Sequence, residues 1–278
     1  ADELEAAILQ AKADGDLPFF VGATAGTTVA GAFDPFNAIA DICDRHSLWL
    51  HVDGAWGGSV MFSSNKQVRS LLDGAGRADS FSWNGHKQMG MPLQCSAFLT
   101  SHVGALKSCN STCAAYLFQP DKLYAEHDLG DKTIQCGRRA DAYKLWFFWK
   151  AVGDRGMAAR VDHCLELAAH FEHKIRDSQG VFVLALPRTY ANVCFWYVPA
   201  SLRPWDPTTA SNEARAEMGR VAVRIKATMQ KVGLAMIGFQ PLDDLPNFFR
   251  IVFPSCFHTT KHDLDKLIAG IQKIGDSL

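Results

Sequence analysis

The chain has 278 residues, 48% of them apolar and 21% charged, and a formal net charge of −1. These proportions describe a soluble globular protein with room for one large domain or two ordinary ones. With no block of like charges and no apolar run near the ~18 residues of a membrane span, they argue against a nucleic-acid groove or a membrane segment and favour a small-molecule ligand. The start, Ala1-Asp2-Glu3-Leu4, is acidic and unlike a signal peptide, so a cytosolic protein is expected. Eight cysteines occur without a C-x-x-C pair. They are expected as reduced, buried thiols, with no metal site.

Leu4, Ala7, Ile8 and Ala11 recur at helical spacing and predict a helix over 2–13, closed by Asp14-Gly15-Asp16. Opening without Met on what reads as the end of a helix, the chain is expected to enter in the middle of a domain. Phe19 to Thr24 is short and apolar, as a strand buried on both faces would be, and it empties into Ala25-Gly26-Thr27-Thr28. Such a hydroxyl-rich turn suits a cofactor contact or an ordinary turn equally. Asp34-Pro35 predicts a helix start capped by Asp34, with Phe36, Ile39, Ala40, Ile42 and Cys43 on one stripe. Leu48 to Asp53 is the next strand, completing a parallel strand-helix-strand unit with a right-handed crossover. Ligands bind beyond the carboxyl ends of such strands, where Thr24 and Asp53 both fall. A carboxylate ending a buried strand predicts a cationic partner.

Gly54-Ala55-Trp56-Gly57-Gly58 supplies small residues directly after Asp53, as a flat ring lying against backbone requires. Asp79 to Trp83 is a short strand, the turn Asn84-Gly85-His86-Lys87 follows, and Leu93 to Leu99 is another strand. An Asp ending one strand and a Lys just past another can meet at one sheet edge. Together they suggest pyridoxal phosphate, which a lysine amine holds as a Schiff base while a carboxylate keeps the pyridine nitrogen protonated. The stretch from Tyr116 to Asp131 lacks any period and reads as a lid. Arg139 to Val152 predicts an apolar helix whose Trp146, Phe147, Phe148 and Trp149 are expected to be buried against the sheet or a second subunit.

From Gly153 the pattern becomes an α+β module. It comprises a long helix from near Met157, strands at Val181–Leu186 and Asn192–Val198, and a helix around Glu213–Val232. Strands at Leu234–Phe239 and Phe248–Phe253 follow, then a last helix opened by the capping box Thr260-x-x-Asp263. His163, His170 and His173 on the long helix are expected as ordinary surface or half-buried side chains. The expected domains are 1–152 and 153–278.

Several ordered motifs in this chain resemble the pyridoxal-phosphate-dependent group II amino-acid decarboxylases, closest to the glutamate and cysteine sulfinate decarboxylases. They are Ala23-Thr24-Ala25-Gly26-Thr27-Thr28, His51 to Gly58, Asn84-Gly85-His86-Lys87, Tyr116 to Lys122, Asn192 to Tyr197 and Asn247-Phe248-Phe249-Arg250. The resemblance implies an α/β fold of type I, aspartate aminotransferase-like, with the latter half of the large domain followed by the small domain. It makes Lys87 the Schiff-base lysine and Asp53 the partner of the pyridinium nitrogen. Thr24 would touch cofactor or substrate carboxylate, Ala55 would pack on the ring, and Asn84 and His86 would lie near the phosphate. Arg250 would clamp the substrate α-carboxylate, and Tyr124 would return a proton to Cα.

The implied activity is α-decarboxylation of an acidic L-amino acid, glutamate to 4-aminobutyrate or cysteine sulfinate to hypotaurine, by a homodimer of the full-length protein. The alternative is a non-catalytic paralogue lacking the cofactor and serving as a regulatory subunit. Family members carry Ala at Gly54 and Pro at Gly85, so a looser turn is expected before Lys87. The loop after Tyr124 is one residue short, and a second tyrosine common in the family is replaced near His127. The half of the family subunit that supplies a ring-stacking His and the substrate-selecting residues has no counterpart here, so the chain alone is not expected to hold the cofactor or be active.

Overall fold

In the computed structural model, residues 1–278 are described apart from 113, 115, 117, 120, 136, 138, 255 and 256. The part of the lid stretch at Leu117 and Pro120 therefore lies outside the described residues, as do Cys113, Cys136 and Cys256. Helix α1 (Asp2–Ala13) precedes β1 (Phe20–Thr24), α2 (Phe36–His46) and β2 (Trp49–Gly54). The short α3 (Lys66–Arg69) leads to β3 (Ser80–Asn84) and β4 (Ser96–Thr100), followed by α4 (Ala105–Asn110). The strands lie in the order β1-β2-β3-β4, with β1, β2 and β3 parallel and β4 antiparallel to β3. The apolar stripe of α2 covers one face, where Ile39, Ala40, Ile42 and Cys43 pack with Val21, Ala23, Leu50 and Val52. That packing closes the strand-helix-strand unit, whose parallel strands put their carboxyl ends on one edge.

Three sequence expectations change here. The strands are buried on one face only, with β1 alternating and Phe20 51% exposed. On the open face Phe20 stacks on His51, and His51 on Phe98, at centroid distances of 6.1 and 5.8 Å. A short apolar run does not reveal whether one layer or two will cover it. Asp34 does not cap α2: its Oδ2 accepts from the Thr24 amide at 2.7 Å, tying the helix entrance to the end of β1. The aromatic helix ends where the pattern changes, because α5 (Asp141–Arg176) is two helical runs separated by non-helical backbone at Gly153 (φ 63°, ψ 178°). Trp146 and Phe147 on it are exposed, because no described element of this chain covers them.

The second sheet is β5 (Phe182–Leu184), β6 (Asn192–Tyr197), β8 (Leu245–Val252) and β7 (Gly238–Leu242), in the order β5-β6-β8-β7 and antiparallel throughout. Helices α5, α6 (Asn212–Lys231) and α7 (Lys261–Gly275) close its core around Phe171, Phe195, Ile225, Phe248 and Ile271. Thr260 caps α7 reciprocally with Asp263, as the sequence pattern requires. Trp56 and Val60, from the turn after β2, belong to this same core, so the two sheets share packing beside Asp53. His163, His170 and His173 bond to the Thr259 carbonyl, Asp265 and Asp177 respectively. Cys43, Cys95, Cys164 and Cys194 are buried outside any disulfide, while Cys109 is exposed, contrary to expectation, on the short α4. Among the described residues no cluster of His, Cys, Asp or Glu could hold a metal, and no helix is long and apolar enough to cross a membrane.

Candidate active site

Parallel register brings the expected residues together before any side chain is considered. Thr24 pairs with Asp53, and Asp53 with Ser82, so three polar side chains stand in one row on the open face at the strand ends. Asn84 lies two residues further on β3, on the same face. The chain then turns through His86 and Lys87. This turn is held by backbone bonds from Lys87 to the Asn84 carbonyl (3.1 Å), Gly90 to Lys87 (3.2 Å) and Met91 to Gly85 (3.2 Å). His86 adds its ring, whose Nδ1 lies 2.8 Å from the Cys95 carbonyl and 3.1 Å from the Cys95 amide. The looser turn expected from Gly85 is therefore not observed. Gly85 is buried where a Cβ would meet Met91 Sδ at 2.5 Å, so neighbours fill the space a larger residue would take.

The turns after β1 and β2 touch through backbone. A Cβ on Gly26 (φ 82°) would lie 2.8 Å from Gly57 Cα, and one on Gly57 would lie 2.5 Å from the Ala25 carbonyl. Only glycine permits that approach. Asp53 is exposed rather than buried, which removes the desolvation argument for a cationic partner, and among the described residues it forms no ion pair. Its Oδ1 instead accepts from the Ala55 amide at 2.9 Å and from Ser82 Oγ at 3.3 Å, which fixes the carboxylate and leaves Oδ2 open. The sequence motifs assign Ser82 no role; its period-two spacing with Asn84 is the available signal.

Arg250 reaches this edge from the other sheet. It sits on β8 opposite Cys194, and its Nη1 donates to the Thr28 carbonyl at 2.8 Å. Its Nε is buried without a partner. Burial pushes the neighbouring Cys194 thiol up to about 11 against the pull of Arg250, so the thiol stays protonated and donates to the Val29 carbonyl at 3.4 Å. Tyr124 is not brought to the others. It is 67% exposed in a left-handed conformation (φ 63°), and its ring lies 6.3 Å from that of His127.

A half-buried lysine past one parallel strand, a tethered carboxylate with a free oxygen on the next, and an arginine with an orphaned Nε offer donor chemistry that suits a pyridoxal-type group. A cationic ring nitrogen suits Asp53, and a carboxylate suits Arg250. The residues present thus fit the group. The conserved domain of the pyridoxal-dependent decarboxylases matches residues 1–198, and the chain belongs to that family. All of it superposes on mouse CSAD with 44% identity and a TM-score of 0.91, spanning 56% of that chain. It is also similar to a rice TDC structure with PLP and tryptamine (26% identity, TM-score 0.85, 99% of this chain and 54% of that one). A Catharanthus roseus tryptophan decarboxylase in complex with L-tryptophan matches at 25% identity and TM-score 0.81, over 99% of this chain and 53% of that one. The chain therefore spans little more than half the length of the structures it matches.

Proposed function

We propose that the full-length protein is a pyridoxal-phosphate-dependent decarboxylase of an acidic L-amino acid, glutamate or cysteine sulfinate. The observation that carries the reading is the row Thr24–Asp53–Ser82 at the edge that the Lys87 turn follows. When bound, the cofactor supplies a protonated ring able to take up the electron pair left by the departing carboxylate. Lys87 attaches the group through its amine. Asp53, anchored by Ala55 N and Ser82 Oγ, keeps its free oxygen for the ring nitrogen and holds the proton there. Ala55 would back the ring, Thr24 would face ring or carboxylate, and Asn84 and His86 would serve the phosphate.

Arg250, fixed through Nη1 on the Thr28 carbonyl, uses the rest of its guanidinium to orient the substrate carboxylate. Tyr124 returns the proton to Cα, which requires the loop to move inward from its exposed position. Identity of 44% with mouse CSAD against 25% with the tryptophan decarboxylase supports an acidic over an aromatic substrate. A cytosolic homodimer belongs to the same proposal. The exposed ring cluster of Tyr143, Trp146 and Phe147 on α5 supports a covering subunit. Retention of Lys87, Asp53 and Arg250 weighs against the non-catalytic alternative.

The test is carbon dioxide release by the full-length protein from glutamate, cysteine sulfinate, aspartate and tryptophan. Release from glutamate or cysteine sulfinate with kcat/KM at least a hundredfold above tryptophan is expected. Preference for tryptophan, or no release from any of them, overturns the reading.

A further inference from the structure

The residue after the proposed cofactor lysine is a fully buried glutamine. Gln88 is 0% exposed, and its Oε1 accepts from the hydroxyl of Tyr190, also 0% exposed, which lies two residues before β6 of the second sheet. Burial pushes the Tyr190 phenol well above its usual range, so the hydroxyl keeps its proton and stays a donor. The ring itself is walled by Phe33 and Trp56 in edge contacts at 5.4 and 5.5 Å. Gly31 packs so closely that a Cβ there would meet Tyr190 Cβ at 2.9 Å. Nothing lets this ring slide.

The neighbouring residues of the same segment reach the other turns of the site. Thr189 Oγ1 donates to the Gly31 carbonyl at 2.8 Å. Asn192 accepts from Trp56 Nε1 at 2.8 Å and donates to the carbonyls of Thr28 (3.0 Å) and Val29 (2.9 Å). The stretch 189–192 thus holds the turn after β1, the turn after β2 and, through Gln88, the turn after β3. Gln88 Nε2 is buried without a partner. Methionine at 88 together with phenylalanine at 190 would fill the same space with nothing left unpaired, so the pair is a poor device for stability alone.

We propose that Gln88 and Tyr190 are positioning residues: their buried hydrogen bond fixes the Lys87 turn from the second sheet and so sets the environment of the Lys87 amine. The inference rests on the reading of Lys87 as the cofactor lysine, and it deepens that reading. With Gln88 buried and bonded to Tyr190, the backbone that leaves Lys87 is anchored to the second sheet.

The experiment uses the full-length protein and three variants, Tyr190→Phe, Gln88→Met and the double variant. Amide exchange at Lys87, Gly90 and Met91 is read first without cofactor. The pH midpoint of the borohydride-sensitive absorbance band is then read with it. Each single variant is expected to raise exchange at those amides at least tenfold and to move the midpoint by half a pH unit or more. The double variant, having no buried polar atom left unpaired, is expected to recover thermal stability yet keep the shifted midpoint. Unchanged exchange and midpoint in both single variants would overturn the proposal, and so would recovery of stability and midpoint together in the double variant. If the wild-type protein forms no such band, the cofactor reading fails, while the exchange arm still decides whether the pair holds the turn.

Discussion

Gly54 stands at the end of β2 next to Asp53, and replacing it by alanine is predicted to destabilise the protein. A Cβ there would meet Phe81 Cζ at 2.2 Å, Phe81 Cε1 at 2.6 Å and the Ser82 carbonyl at 2.9 Å. Ordinary carbon contacts need about 3.5–4.0 Å, so the Phe81 ring must move by more than about 1 Å or the strands must part. Overpacking of this kind costs about 1–3 kcal/mol, while replacing glycine returns about 0.4–1 kcal/mol through the unfolded chain, leaving a net loss of about 1–2 kcal/mol. The assay is urea unfolding at constant m value, with Phe81→Leu as the second arm of a double-mutant cycle, because leucine lacks Cε1 and Cζ. Gly54→Ala should cost about 1 kcal/mol less in the Phe81→Leu background, where the Ser82 carbonyl contact remains but the ring contacts are gone. Equal destabilisation in both backgrounds, or a more stable Gly54→Ala protein, would refute the reasoning. Function should follow stability here, since a displaced β3 carries Ser82 away from Asp53.

Arg250→Lys keeps the charge but loses the fork that spans Thr28 and the substrate; KM should rise about 10- to 100-fold in steady-state assays, with the cofactor band retained. Glu172 is desolvated on α5, yet hydrogen bonds from Arg176 and Arg188 outweigh that and hold its carboxyl below the usual range. A depressed acid contributes stability above its unfolded-state pKa and loses it as pH falls through the folded-state value. Glu172→Gln should therefore cost about 1–3 kcal/mol at pH 7, a gap that narrows in denaturation curves taken below about pH 4. Thr260→Ala removes the reciprocal cap of α7 and should cost about 1 kcal/mol by the same measurement.

Elements with their own period could be read directly. The stripe of α2, the strand pair around it and the capping box of α7 each announce themselves within a dozen residues. Asp53 and Lys87 were legible as strand-end residues because parallel strands put their carboxyl ends on one edge. Arg250 became legible only through the resemblance, since β8 meets the turn after β1 by a register that no local pattern encodes. The exposure of Asp53 was misread because apolar composition does not say which face a second layer will cover. Gln88 and Tyr190 were invisible for the same reason: a bond spanning the two sheets leaves no trace in either neighbourhood. Asp34 shows the converse, since a residue type suited to a cap was drawn instead to the amide that ends β1.

The central claim is that Lys87 holds pyridoxal phosphate. It is tested most directly by adding the cofactor to the full-length protein, recording the spectrum before and after borohydride, and mapping the reduced adduct by peptide mass, with Lys87→Ala in parallel. The account predicts a band near the visible edge that borohydride removes, with the adduct on Lys87 and none in the variant. Correctly folded protein that shows no band, or carries the adduct on another lysine, would contradict it.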